Sequence, residues 1–153
     1  PEKDCVCPTG VVQKYLNKIS GPLLDRIDIH VEVTPVSFKE LSLERISEKS
    51  TSVRERVVKA REIQSVRYAT NDGVHCNAQM SSKQLREICR IDDAGNALLK
   101  TAMERLGLSA RAYDRILKVA RTIADLDDAA KIETSHLAEA IQYRSLDREG
   151  WAG

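Results

Sequence analysis

Apolar positions recur at helical spacing through most of the chain, with one interruption near the start. Val11, Val12, Tyr15, Leu16 and Ile19 share a face, and Gly21-Pro22 is read as the stop of that helix. The rhythm then changes to two. Ile27, Ile29, Val31 and Val33 alternate with Asp28, His30 and Glu32, which predicts a strand with one buried face, closed by Pro35. Ser37-Phe38-Lys39-Glu40 has the Ser-x-x-Glu pattern of a capping box and predicts a short helix. Residues 44–51 are polar and read as a linker.

Beyond the linker the helical spacing is uninterrupted. Ser52-Val53-Arg54-Glu55 is a second capping box, opening a long helix with Val53, Val57, Ala60, Ile63 and Val66 on one face. Asn71-Asp72-Gly73 marks a turn in an irregular loop over 70–80, and Ser81-Ser82-Lys83-Gln84 caps a short helix running to Cys89. Three helices follow, over about 92–106, 109–126 and 134–145, the first ended by Gly107. Their stripes are Ala94, Leu98, Ala102 and Leu106; then Ala112, Ile116, Val119, Ile123 and Leu126; then Leu137 and Ile141. Short connections between four such helices predict a compact bundle.

Composition narrows the class. The chain has 153 residues, 42% hydrophobic and only 4% aromatic, so its core must be aliphatic. A formal net charge of +1 gives no overall electrostatic commitment to nucleic acid. One local excess stands out: residues 52–68 carry five bases (Arg54, Arg56, Lys59, Arg61, Arg67) against two acids (Glu55, Glu62), with no aromatic between the bases to stack on a nucleotide. No run of apolar residues reaches the length of a membrane span. Cys5, Cys7, Cys76 and Cys89 include a C-x-C pair, not the C-x-x-C of common zinc sites, and no metal is predicted within the chain. Asn71-Asp72-Gly73 lacks the further ligands of a calcium loop, and the three histidines have no metal-ligand spacing. Lys118 and Arg121 read as surface charges.

Two arginines invite a chemical reading. Asp25-Arg26 follows a Gly-Pro turn and precedes the alternating segment, so it is either a surface pair or a guanidinium set at a sheet rim within reach of an anion. Ser109 is a good N-cap, which puts Arg111 in the first turn of its helix. A cation there opposes the helix dipole, and with the free amides of the helix start it could bind a phosphate. Arg115, one turn on, is the fallback.

The segment Ile19-Ser20-Gly21-Pro22-Leu23-Leu24-Asp25-Arg26-Ile27-Asp28-Ile29-His30-Val31-Glu32-Val33 closely resembles the arginine-finger segment of AAA+ ATPases of the magnesium-chelatase type, and within them the ComM-like branch. The resemblance extends from the cysteine pair to Tyr143-Arg144. It implies a mainly α chain in four parts: 1–36 as the end of an αβα core (one helix, one strand), 37–51 as short helix and linker, 52–146 as a helical lid, and 147–153 as a tail. Arg26 is then an arginine finger acting in trans, with Asp25 orienting it or meeting the interface, and Arg111 the sensor-2 residue. The implied partners are further subunits of a homo-oligomeric, hexameric ring and DNA, with ATP and Mg in the full-length protein, in the cytoplasm and with no membrane. DNA branch migration is the implied activity; porphyrin metallation, or a helical interaction module without nucleotide, are the alternatives. The resemblance also implies a second cysteine pair upstream of Cys5. No G-x-x-x-x-G-K-[ST] loop is present, so this chain alone is not expected to hydrolyse ATP. Pro1-Glu2-Lys3-Asp4 reads as the middle of a loop, which suggests a piece of a longer protein.

Overall fold

A computed structural model describes residues 6–33, 36, 38, 42 and 47–144. These form α1 (Thr9–Leu16), α2 (Gly21–Leu24), α3 (Ser50–Arg67), a 3-10 turn (Asn77–Gln79), α4 (Ser82–Ile88), α5 (Asp93–Leu106), α6 (Ala110–Leu126) and α7 (Thr134–Gln142). The fold is mainly α. None of these helices is long and apolar enough to cross a membrane. The capping box expected at 37–40 and the tail from 145 onward lie outside the described residues.

Local signals set most helix ends. The Ser81 hydroxyl accepts from the Gln84 amide and the Gln84 side chain accepts from the Ser81 amide, the reciprocal capping box read from the sequence. Asp92 Oδ1 takes the Gly95 amide at 2.7 Å, and Ser109 Oγ takes the Ala112 amide at 3.2 Å. Gly107 ends α5 at φ +60°, a left-handed position where glycine carries no Cβ penalty. The Ser52 capping box does not form, because α3 starts two residues earlier at Ser50.

Helix α6 is the hub. It packs against α3, α4, α7 and the 3-10 turn, while α5 packs against α7. Ala112, Ile116, Ala120 and Ala124 are fully buried at four-residue spacing, so neighbouring helices approach its backbone closely. The buried face is broader than the expected stripe and turned from it: Leu117, Arg121 and Asp125 are buried, while Leu126 is exposed. Helices α5 and α7 meet at Gly95, where an added Cβ would lie 2.8 Å from Leu137 Cδ1.

Two expectations are corrected here. The valines of α3 do not face the core: Val53 and Val57 are exposed and Val66 is 79% exposed. The buried side is Ala60, Gln64 and the adjoining Tyr68, with Arg67 beside them, so α3 docks largely through polar groups. Second, no β-strand forms among the described residues. Residues 27–33 have no strand partner, and the expected inward face is reversed, with Ile27, Ile29, Val31 and Val33 exposed while His30 is buried. An isolated strand has no ladder to satisfy its backbone; instead the His30 amide donates to the Tyr143 carbonyl at 2.8 Å. Gly21-Pro22 also opens the short helix α2 rather than only stopping α1.

The polar docking of α3 centres on Asp125, whose side chain is fully buried. Arg67 reaches it through both terminal nitrogens, at 2.7 and 2.5 Å. Asn77 Nδ2 donates at 2.7 Å and Arg121 Nε at 3.1 Å. Arg121 also donates to the Ala129 and Ala130 carbonyls, and Lys118 holds the carbonyls of Ala78 and Met80. Arg121 and Lys118 are thus structural clamps, which corrects their reading as surface charges. Burial alone would raise the Asp125 carboxyl, but the hydrogen bonds from Arg67 and Asn77 and the two guanidinium charges prevail and hold it below its ordinary 3.8.

Asp125→Ala is expected to destabilise the chain by about 3–5 kcal/mol, since it strands two guanidiniums, while Val66→Ala changes stability by less than about 0.5 kcal/mol. Urea unfolding of both variants checks this. Because the Asp125 carboxyl is depressed in the folded state, its contribution is present above about pH 4 and is lost as pH falls through the folded value. In Asp125→Asn the acid-side loss should be smaller, read as urea midpoints from pH 7 down to pH 2.

Candidate functional site

Arg26 sits at the exit of α2, in a turn closed by backbone bonds from Asp25 to Gly21, Arg26 to Leu23 and Ile27 to Leu24. Pro22 pre-sets the helical φ at the start of this turn, and Leu24 is buried beneath it. The guanidinium is exposed, and its one described bond is to the Pro22 carbonyl at 2.6 Å. Asp25 is half-buried and does not pair with Arg26. The orienting acceptor for Arg26 is therefore a backbone carbonyl of its own turn.

Arg111 lies where the sequence places it, exposed in the first turn of α6. Gly107 and the buried Leu108 fix the connection from α5, so the direction of this helix start is set by the core. Ser109 Oγ occupies the Ala112 amide, which leaves the Ala110 and Arg111 amides without a helical acceptor. Among the described residues, Arg111 has no side-chain hydrogen bond or ion pair. Arg115 is engaged: its guanidinium forms a close ion pair with Asp28, two residues beyond Arg26. The pair joins positions 87 apart in sequence and brings the Arg26 turn against α6, one helical turn from Arg111.

Three of the five bases of α3 are committed. Within α3, Arg67 serves Asp125, Arg56 pairs with Glu48 at 2.9 Å and Lys59 with Asp128 at 2.6 Å. Arg54 and Arg61 remain as exposed cations without a described ion pair. Neither Arg26 nor Arg111 lines the groove of about 590 Å3 formed by Leu85, Arg86, Arg90, Tyr113 and Asp114, or that of about 910 Å3 beside Ile132. Both arginines project outward.

Among the described residues the cysteines form no ligand set. Cys5 is outside the described residues, Cys89 is in the core, and burial pushes its thiol up to about 11. Among the described residues no group of three or more His, Cys, Asp or Glu side chains could hold a metal. His136 is a capping residue, accepting the Glu133 amide on Nδ1 and facing Asp127 through Nε2.

Two contacts beside Arg26 escaped the sequence reading. Asp28 carried no local sign of its partner on α6. Arg144, beyond the last helix, is fully buried and donates to the carbonyls of Leu24 and Ile27, on either side of Arg26. A lone basic residue after an apolar helix reads as a routine C-terminal charge.

Fold and site together define a helical domain docked onto an N-terminal turn, with one outward arginine on the turn and another at a helix start. The chain belongs to the magnesium chelatase ChlI family: the family model described as "Magnesium chelatase, subunit ChlI C-terminal" matches residues 47–144, and that described as "Magnesium chelatase, subunit ChlI" matches residues 1–41. It is similar to the competence protein ComM of Haemophilus influenzae, 44% identical over 90% of this chain and 26% of the relative. It is 39% identical to YifB of Escherichia coli over 93% of this chain and 27% of the relative. A protein of Mycobacterium tuberculosis is 36% identical over 93% of this chain and 28% of its own length. The chain thus spans about a quarter of the length of the curated relatives it matches.

If only Arg54 and Arg61 of α3 can reach DNA phosphates, the isolated chain should bind a DNA duplex weakly. Its log affinity should fall against log salt with a slope no steeper than about −2. Fluorescence anisotropy across a salt series checks this; a slope near −5 would mean that all five bases leave their partners for the duplex.

Proposed function

We propose that this chain is the finger-and-lid portion of a ring-forming AAA+ ATPase, in which Arg26 reaches the nucleotide held by a neighbouring subunit and Arg111 contacts nucleotide phosphate as sensor-2. The observation that carries the reading is placement: Arg26 lies on a turn closed by backbone bonds, Arg111 at a capped helix start, and the Asp28–Arg115 pair brings the two pieces together. Arg67, Arg115, Arg121 and Arg144 are each held by a carboxylate or by carbonyls of another segment, whereas Arg26 and Arg111 point outward with no ion pair among the described residues. Arg54, Arg61, Arg90 and Arg105 are also exposed without a described ion pair, so position, and not the lack of a partner, sets Arg26 and Arg111 apart.

The chemistry follows from charge. Hydrolysis of Mg-ATP spreads negative charge over the γ-phosphate oxygens. A guanidinium supplied from outside the subunit that binds the phosphates stabilises that charge and makes turnover depend on assembly. Arg26 fits the role because its turn is rigid and its side chain is held only by the Pro22 carbonyl, a bond easily exchanged for phosphate oxygens. Arg111 brings a cation and two unused amides to one helix start, a site suited to a phosphate. The Asp28–Arg115 pair keeps the two arginines on linked pieces of structure.

The N-terminal helix and the extended segment at 27–33 read as the end of an αβα core, whose remaining strands would cover Ile27, Ile29, Val31 and Val33. The likeness to ComM, named a competence protein, supports DNA as the remodelled substrate, with branch migration by a hexameric cytoplasmic ring as the activity.

In the full-length protein, Arg26→Ala is expected to lower kcat for ATP by about 10³–10⁵-fold. A second variant lacking the lysine of its phosphate loop should be equally inactive. Mixing the two should restore part of the activity, because some interfaces then pair an intact finger with an intact phosphate loop. Normal turnover by Arg26→Ala alone would remove the finger assignment.

A further inference from the structure

We infer that Arg144 is the positioning residue for Arg26, fastening the finger turn to the end of the last helix so that turn and bundle move as one body. The inference rests on the reading of Arg26 as a finger. Arg144 is among the largest fully buried side chains of the molecule, at 0% exposure. Its Nη1 donates to the Ile27 carbonyl and its Nη2 lies 3.5 Å from the Leu24 carbonyl. Those two carbonyls bracket Asp25-Arg26. The adjacent backbone repeats the tie, with the Tyr143 carbonyl accepting from the His30 amide at 2.8 Å.

The choice of arginine is physically specific. The carbonyls at the exit of α2 carry partial negative charge; that of Leu24 takes the Ile27 amide at 2.9 Å and keeps a second lone pair for a guanidinium. A planar fork can serve two carbonyls three residues apart from one fixed position. A lysine ammonium is a point donor on a flexible stem and cannot hold both in the same geometry. Desolvating a guanidinium is costly, and these carbonyls are among the acceptors that offset the cost. With Asp28–Arg115 on the other side, the turn is held at two points by α6 and the end of α7. A conformational change in the lid would therefore displace the finger directly, without a signal having to cross the core.

The test has a structural and a kinetic arm. In the 153-residue chain, Arg144→Lys and Arg144→Met are examined by amide hydrogen exchange. The Arg26, Ile27 and His30 amides should exchange at least about tenfold faster, while those of α5 and α6 keep their protection. Should Arg144→Met fail to fold, Arg144→Lys carries the same test. Unchanged exchange at 26–30, or uniform acceleration throughout the chain, overturns the positioning role. In the full-length protein, Arg144→Lys should lower kcat by about 10²-fold with KM for ATP unchanged. The double variant Arg26→Ala/Arg144→Lys should be no slower than Arg26→Ala, because Arg144 acts only through Arg26. Normal kcat in Arg144→Lys beside an inactive Arg26→Ala overturns the inference and leaves the finger standing. Normal kcat in Arg26→Ala removes the finger, and the exchange result then decides the structural tie by itself.

Discussion

A carboxylate withdrawn from water must have its charge balanced and its lone pairs filled, and Asp125 meets that demand by drawing distant segments to one point. Arg67 comes from α3, Asn77 from the 3-10 turn and Arg121 from the preceding turn of α6. Arg121 extends the set to the carbonyls at 129 and 130, which fixes the path of the chain into α7. A partial set would leave a charge buried without compensation, so these segments must assemble together or not at all. This explains how α3 can be well placed while showing most of its valines to solvent. Polar geometry sets its position, and little apolar area is asked of it.

The same rule identifies the basic residues that serve the structure. A buried guanidinium reveals its task by its acceptors: Asp125 and Asn77 for Arg67, Asp125 and the carbonyls at 129 and 130 for Arg121, and the Leu24 and Ile27 carbonyls among those of Arg144. Arg115 is only partly buried, and its pair with Asp28 is screened; it is better understood as fixing register between the N-terminal turn and α6 than as a source of stability. Arg26 and Arg111 are not accounted for in this way, nor are Arg54, Arg61, Arg90 and Arg105; the first two differ in lying on backbone fixed by a hydrogen-bonded turn and by a helix cap.

Much of this was legible in the sequence, and the boundary between what was and was not is physical. Caps were readable because they depend on residues three or four apart: Ser81 with Gln84, Ser109 with the first turn of α6, Gly107 at its left-handed stop. The helical class and the placement of Arg111 followed from them. The inward face of α3 was misread because apolar spacing assumes an apolar contact, and this one runs through Gln64 and Arg67. The strand was misread because alternation reports a chain's fitness for a sheet and not the presence of its neighbours. Arg144 could not be found locally at all, since its acceptor at Ile27 lies 117 residues away.

That long separation bears on how such a domain could transmit work. An arginine finger attached only to its own sheet would keep its position whatever the lid did. Here the turn bearing Arg26 is grasped by α6 and by the end of α7, through Asp28–Arg115 and through Arg144 with the Tyr143 carbonyl. Rotation of α6 and α7 relative to a core would carry the turn with them, since stretching a buried guanidinium from its carbonyls costs more than moving a packed body as a unit. The route is short and made of discrete contacts, each of which can be cut by one substitution. On the proposed reading of Arg26 as a finger, coupling between it and the lid needs no chain of intermediates through the interior. It follows from where one buried arginine places its donors.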